Sequence, residues 1–336
     1  MMKYGLLTYN YISRDSYCPK YGVNMGDYIQ SIAARQFLPS VDVFIDRDSV
    51  SSYSGDPVKL IMNGWWHIYK GNETTSDAIT PLYVAYHINN QKALTKKALE
   101  HLKKHTPIGC RDLATMNCLL NHGIDAYLSS CLTLTLGKTY QVSEKERTNT
   151  VYFVDCDFLE TGNSKPKPNW IKWCLSRTAR RSCAITKGLE KVKRRTWEIL
   201  EGFLHDALVE KRSHEYYPLS LDDNARFQIA DQLLRDYSKG KLVVTSRLHC
   251  ALPVLSMGVP VLFVSANLDD HRYAGALDCV SQIGLDRKQN FVERLDSHHG
   301  LIPGTHVLPP SVKAYSEQLS RRCLSFVSSA ANETSH

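Results

Sequence analysis

The residues best suited to chemistry stand in one run, Ser246-Arg247-Leu248-His249. It follows a β-branched apolar stretch at 242–245 and precedes an apolar segment closed by Gly258 and Pro260, after which 261–264 reads as a second buried strand. A β-α-β unit of this kind puts the run beyond the carboxyl end of a strand and at the start of a helix. Free backbone N–H groups and the helix dipole favour anions there. Arg247 can hold a phosphate or carboxylate with a planar fork of donors, and His249 can donate to the same anion or move a proton. The plainer alternative is a capping serine, a solvated arginine and a histidine satisfied by backbone.

The first half carries further candidates. Asn24-Met25-Gly26-Asp27 precedes an amphipathic helical period at 28–38, so Asn24 and Asp27 can cap a helix whose N-terminus a ligand reaches over Gly26. Arg111-Asp112 opens a helix after a short strand and repeats the layout of Arg247, with an internal Arg111 to Asp112 pairing as the alternative. Asn63-Gly64-Trp65-Trp66-His67 follows the strand 58–62, and His87 follows 82–86, so both histidines stand at strand ends where a cleft would lie. A satisfied structural histidine is the default for either. Ser130 ends the stretch 124–130, and Asp269-Asp270-His271-Arg272-Tyr273 forms a polar loop beyond 261–264. Asp155-Cys156-Asp157 after the strand 151–154 could hold a divalent metal, but a lone D-x-D is weak, and no metal is expected.

These residues need a scaffold of alternating strands and helices. That alternation continues to about residue 136, indicating a Rossmann-like unit, and resumes after a polar linker at 137–150. The expected units are 1–140 and 141–336. In the second, a strand is expected at 216–220, helices at 225–237 and 311–327, and two helical stretches in the basic segment.

The totals agree. A chain of 336 residues with 43% hydrophobic and 22% charged residues can build two cores. No apolar stretch reaches the roughly 18 to 20 residues of a membrane span, and the N-terminus lacks a signal-peptide layout, so a cytoplasmic protein is expected. Ten scattered cysteines without a C-x-x-C pair read as reduced core thiols. The net charge of +7 is local, because residues 165–195 hold eleven cations against one anion. With Trp170, Trp173 and Trp197 alongside, this patch suits anionic lipid headgroups at the inner face of a membrane. A solvated face is the alternative; no nucleic-acid module accompanies the patch.

Three pieces, in order, resemble the polysaccharide pyruvyltransferase family: Asn24-x-Gly26-Asp27-x-x-Gln30; Ile108-Gly-x-Arg111-Asp112-x-x-Thr115 followed by Gly123-Ile124 and Ser130-Cys131-Leu132-Thr133; and Ser246-Arg247-Leu248-His249 leading to Gly258-Val-Pro260. The resemblance implies a glycosyltransferase-B-like α/β fold, two Rossmann-like domains facing a cleft, with the acceptor on the first and phosphoenolpyruvate on the second. It implies transfer of the pyruvyl group of phosphoenolpyruvate to two hydroxyls of a sugar, as a cyclic ketal on a cell-surface polysaccharide or its lipid-linked precursor. No cofactor is implied beyond that co-substrate. Carried over by position, Arg247 and His249 are the anion-binding and catalytic pair and Arg111 the first-domain arginine, with His87 matched to a histidine after a first-domain strand. Relatives have a glycine-rich turn where this chain has Asn63-Gly64-Trp65-Trp66, which bears on the acceptor pocket.

The residue chemistry accommodates that reaction. A doubly anionic substrate calls for fixed cations, His249 is the best general acid or base, and Asp27 or His87 could deprotonate a hydroxyl. Two competitors remain: a nucleotide-sugar glycosyltransferase of the same fold, and a non-catalytic carbohydrate- or membrane-binding relative.

Overall fold

The computed structural model describes residues 2–10, 22–66, 74–160, 179–215, 217–295, 301 and 308–329. Two six-stranded sheets form its frame. The first comprises β1 (Lys3–Thr8), β2 (Val43–Asp46), β3 (Val58–Trp66), β4 (Ile79–Ile88), β5 (Ile108–Cys110) and β6 (Ala126–Leu128), in the order β2-β1-β3-β4-β5-β6 and parallel throughout. The second comprises β7 (Thr150–Val154), β8 (Leu208–Arg212), β9 (Leu242–Thr245), β10 (Val261–Ser265), β11 (Ser281–Leu285) and β12 (Phe291–Arg294). Its order, β8-β7-β9-β10-β11-β12, repeats that of the first sheet, with only β12 antiparallel. These are two Rossmann-like domains, as expected. In each sheet the order reverses between its first and third strands, and ligands of open parallel sheets sit beyond the carboxyl ends at such a point.

Both faces of the second sheet are covered at its centre, which is why β7, β9 and β10 are apolar runs. Leu242 and Val244 pack towards Val192, Leu200 and Phe203 of the long helix Ala179–Leu204, while Val243 belongs to the core continuous with the first domain. The domains are joined by helix packing. Helix α1 (Met25–Arg35) lies against helix Asp223–Ser238, with Tyr28 edge-on to Phe227 at 5.0 Å. Arg226 donates to the Tyr28 hydroxyl at 2.9 Å and the Tyr9 carbonyl at 3.2 Å.

Several expectations differ from the structure. Strand β3 does not stop at Met62: a register shift at Met62/Gly64 and a φ of +96° at Gly64 let pairing continue to Trp66. Among the described residues, 217–220 form no strand; the second strand of the domain is β8 instead, and Tyr217 makes an isolated bridge to Val23. The last helix, Pro310–Ser328, crosses back to the first domain, where buried Lys59 donates to the Phe326 carbonyl at 2.6 Å and so caps the helix C-terminus. Residues 137–150 are not a loose linker at their start. The segment Gly137–Tyr140 is helical, and a Cβ on Gly137 would stand 2.0 Å from the Ser256 carbonyl oxygen.

That contact generates a paired test. Gly137→Ala should lower stability by about 1–3 kcal/mol, because the facing atom is backbone and cannot swing away. Gly202→Ala, in a helix with nothing within 4 Å of the added carbon, should raise it by up to about 1 kcal/mol. Melting temperatures moving in opposite directions would verify the Gly137 contact.

Candidate active site

The carboxyl ends of both sheets face each other across a cavity of about 120 Å³. From the first domain it is lined by Asn24, Gly26 and Asp27 at the start of α1, Trp65 near the end of β3, and Arg111 just past β5. From the second it is lined by His214 after β8, Ser246 to His249 after β9, and Arg272 and Tyr273 after β10.

Each residue is positioned by a local device. The Asn24 side chain accepts from Gly26 N at 2.9 Å and caps α1. A Cβ on Gly26 would stand 3.0 Å from the capping Asn24 Oδ1 and in ordinary contact, at 3.4 Å, with the His249 ring, so the turn packs directly on the histidine. The helix Leu248–Ser256 begins at the cavity with no side-chain cap, which leaves its first N–H groups available to an anion.

Arg111 and His249 meet across the cleft, with Arg111 Nη1 3.3 Å from His249 Nε2. Arg111 is 2% exposed and, among the described residues, its Nε has no hydrogen-bond partner and its nearest carboxylate, Asp112, stands 3.6 Å away. Burial pushes its pKa down. Arg247 is held differently: its Nε donates to Asp155 at 2.8 Å and its Nη1 to Glu215 at 2.7 Å. Burial opposes its charge, but the two carboxylates outweigh burial and raise its pKa. Asp155, at a φ of +53°, also accepts from the Ser213 hydroxyl and the His214 amide. Its carboxylate serves Arg247, and among the described residues no group of three or more His, Cys, Asp or Glu could hold a metal ion.

Three imidazoles rest neutral. Burial, reinforced by Arg111, pushes His249 well below its ordinary value, so it accepts the Arg111 hydrogen bond through a bare nitrogen. Burial and Arg111 also lower His87 to about 4, against the pull of Asp112. Asp112 accepts from Thr115 N with one oxygen, capping the helix Leu113–Asn121, and holds His87 Nδ1 at 2.6 Å with the other. That bond fixes the proton on Nδ1 and leaves Nε2 bare and unpartnered. Burial lowers His214 to about 4 as well.

Of the residues singled out in the sequence, Asn24, Gly26, Asp27, Trp65, Arg111, Ser246, Arg247, His249 and Arg272 line this one cavity. His87, fully buried, lies a layer behind it, 6.5 Å from Trp65 and stacked on His271 at 5.5 Å. His271 lines a neighbouring pocket of about 430 Å³ with Asp269, Asp270 and Gln282. Asn63 is buried and donates to the Gln30 carbonyl at 2.9 Å, and Ser130 is buried at a φ of +59°. Neither reaches the cavity. His67, Trp170, Trp173 and the basic residues 165–178 lie outside the described residues. Of the rest of the patch, Arg195 pairs with Glu293 at 2.9 Å and Trp197 stacks on Phe153. No helix among the described residues is long and apolar enough to cross a membrane.

Sequence reasoning missed His214 and Glu215. It singled out Asp155 only as half of a weak D-x-D metal motif, not as the carboxylate that holds Arg247, and Tyr273 only as the end of a polar loop.

With this geometry in view, the chain can be placed among known proteins. The sequence profile of the polysaccharide pyruvyl transferase family matches residues 24–267, which span the first cavity residue to the strand after the Arg247 helix. The chain belongs to this family and is a transferase. Curated proteins give no significant match. Among solved structures it is similar to an uncharacterized protein from Klebsiella pneumoniae, with 12% identity, a TM-score of 0.40, and coverage of 81% of this chain and 86% of that one. It is also similar to the UDP-GlcNAc 2-epimerase of Methanocaldococcus jannaschii, with 10% identity, a TM-score of 0.36, and coverage of 99% and 94%.

The neutral histidines set a pH dependence of stability. His87 and His214 protonate near 6.5 when unfolded and near 4 when folded. Above about 6.5 both states are neutral and nothing is lost; as pH falls towards about 4 the unfolded state takes up protons that the folded state refuses, so stability falls. Denaturant titrations at successive pH values should show a decline over this window, and a flat profile would contradict the buried neutral imidazoles.

Proposed function

We propose that this chain transfers the pyruvyl group of phosphoenolpyruvate onto two hydroxyls of a sugar, closing a cyclic ketal and releasing phosphate, in the synthesis of a cell-surface polysaccharide. The observation that carries the reading is the 3.3 Å contact of Arg111 with His249 in a cavity that Arg247 also lines, so that guanidinia from both domains and an imidazole address one small volume. Arg247 has Nε and Nη1 occupied by carboxylates, which aims the fork and leaves Nη2 for a ligand oxygen. The uncapped helix Leu248–Ser256 adds backbone donors for the phosphate.

The atoms balance as follows. A proton adds to C3 of the enol and makes it a methyl group. The first hydroxyl oxygen bonds to C2 and gives up its proton; the C2–phosphate bond then breaks as the second hydroxyl oxygen bonds to C2. Of the two hydroxyl protons, one restores the proton delivered to C3 and the other leaves with phosphate. His249 suits the shuttle. It rests neutral beside Arg111, and an entering polyanion favours its protonated form, so it can give a proton to C3 and recover one from the hydroxyl. Asp27 stands on the same wall as a second acceptor for a hydroxyl proton. The acceptor in this reading is a sugar or lipid-linked oligosaccharide that presents a pair of hydroxyls, and an anionic membrane surface meeting residues 165–195 belongs to the same proposal.

Phosphoenolpyruvate should raise the melting temperature, by the equivalent of about 2.7 kcal/mol at a hundredfold excess over Kd, while UDP-, GDP- and CMP-sugars leave it unchanged. The reverse pattern would establish a nucleotide-sugar glycosyltransferase instead. Phosphate release from phosphoenolpyruvate across galactose-, glucose- and mannose-type acceptors identifies the sugar. Arg111→Lys and His249→Gln should each cut kcat/KM by about a hundredfold or more with the fold retained. Unchanged turnover in either variant would remove that residue from the mechanism.

A further inference from the structure

One group on the cavity wall has no task in the reaction just described. His214, in the turn after β8, lines the cavity with Arg111, Arg247 and His249 yet is 1% exposed. Among the described residues, neither of its ring nitrogens has a hydrogen-bond partner. Its position is nevertheless fixed on every side. The backbone N–H donates to Asp155 Oδ2 at 3.1 Å, and the carbonyl accepts from Met25 N of the first domain at 2.6 Å. The ring lies on Tyr237 at 5.9 Å with an interplanar angle of 23°.

A neutral imidazole presents one donor and one acceptor, and a buried polar atom without a partner is costly to keep. A core position with those fixings would be served better by an apolar ring. The orphaned nitrogens therefore point to a partner that arrives with the ligand. We propose that His214 is a ligand-contacting residue of the cleft, which donates to the phosphate of the bound substrate and takes up a proton from solvent as that anion enters. This rests on the reading of the cavity as a phosphoenolpyruvate site.

The surroundings set the balance for that proton. Asp155, after β7, favours the charged ring, whereas burial and Arg247, after β9, oppose it; His249 stands close enough on its helix for the two imidazoles to oppose each other's charge. Tyr237 contributes a neutral ring face. Among these protein groups the opposing influences win and the ring is neutral. A phosphate dianion placed among the same groups adds to the Asp155 side and reverses the outcome. Arg247 cannot meet the dianion alone, because Asp155 and Glu215 already compensate it. His214 supplies a positive charge that exists only while the anion is present.

The test is calorimetric. Phosphoenolpyruvate and, separately, inorganic phosphate are titrated into the full chain at pH 6.5 in two buffers of different ionisation enthalpy, which gives the number of protons taken up. His214→Phe keeps a ring on Tyr237 but cannot donate, and His214→Asn keeps a donor but cannot titrate. Both ligands should bind the parent with proton uptake. His214→Phe should weaken binding of each by about tenfold to a hundredfold and lower the uptake, with a melting temperature equal to or above the parent's when no ligand is present. His214→Asn should retain more affinity than the phenylalanine variant while losing the same share of the uptake. Equal affinity and equal uptake in parent and variants would overturn the proposal and leave His214 a structural residue. Should His214→Phe not fold, the asparagine variant and the parent's own uptake decide. Inorganic phosphate binding with His214-dependent uptake, but no binding of phosphoenolpyruvate, would sustain the His214 assignment and defeat the pyruvyl-transfer reading.

Discussion

A guanidinium shut away from water has to be answered by negative charge, and Arg111 is answered incompletely. Its nearest carboxylate, Asp112, divides two oxygens among a helix terminus, a buried imidazole and the arginine itself, and approaches the arginine only to 3.6 Å. A buried cation with such thin compensation is expensive to maintain. The fold tolerates it because Arg111 is fixed by the strand end behind it and by the neutral face of His249 in front. Most other features of the cleft follow from that arrangement. His249 rests unprotonated beside the cation, and any anion entering the cavity completes the pairing that Asp112 leaves unfinished.

Holding those atoms together is a task for both domains at once, which explains why the interface between them is extensive. Arg226 ties the Tyr9 carbonyl and the Tyr28 hydroxyl of the first domain to the helix that carries it, the Met25 amide reaches the His214 carbonyl, and Gly137 rides on the Ser256 backbone. Because the last helix returns to Lys59, the second half of the chain grips the first at its far side as well. The cleft is thus set largely in place before ligand arrives, and the entropy of ordering its groups is met in folding and not in binding. An arginine and a histidine on separate domains can then sit within hydrogen-bonding distance of each other.

How much of this could be read from the residues depended on where each one stood. Arg111, Arg247 and His249 were legible because each follows an apolar β-rich run, so the strand end and the helix start could be located and the anion chemistry read from the position. Trp65 was found for the same reason, although its strand was cut short, since a bulge at Gly64 has no periodic signature. His214 was invisible. Its strand, Leu208 to Arg212, lies at a sheet edge with Leu208 and Val209 exposed, so it lacks the apolar run that marks the central strands, and the turn after it could not be recognised as part of the cleft. The two carboxylates on Arg247 were equally hidden, because ion pairs between residues 92 and 32 positions apart leave no local trace. Asn63 and Ser130 show the converse: polar residues at strand ends that the packing uses for itself, one tying β3 to α1 and the other holding a left-handed turn.

The carboxylates around the cations then need a physical reason. Asp155 and Glu215 on Arg247, Asp112 on Arg111, and the Asp270 bond to Arg272 at 2.7 Å all dilute the positive field that a phosphate would meet. A site meant only to bind would gain by losing them. On the proposed reaction the same pocket must first hold a phosphate ester and then let inorganic phosphate go, and binding both equally tightly would slow the cycle without lowering its barrier. Fixed carboxylates aim each guanidinium while moderating its grip, and neutral imidazoles that charge only in the presence of the anion supply the missing attraction when it is needed. Once phosphate departs, their protons return to solvent, because burial and the neighbouring guanidinia again favour the neutral rings. Aim is therefore built permanently into the fold, whereas part of the charge is borrowed for the lifetime of the complex.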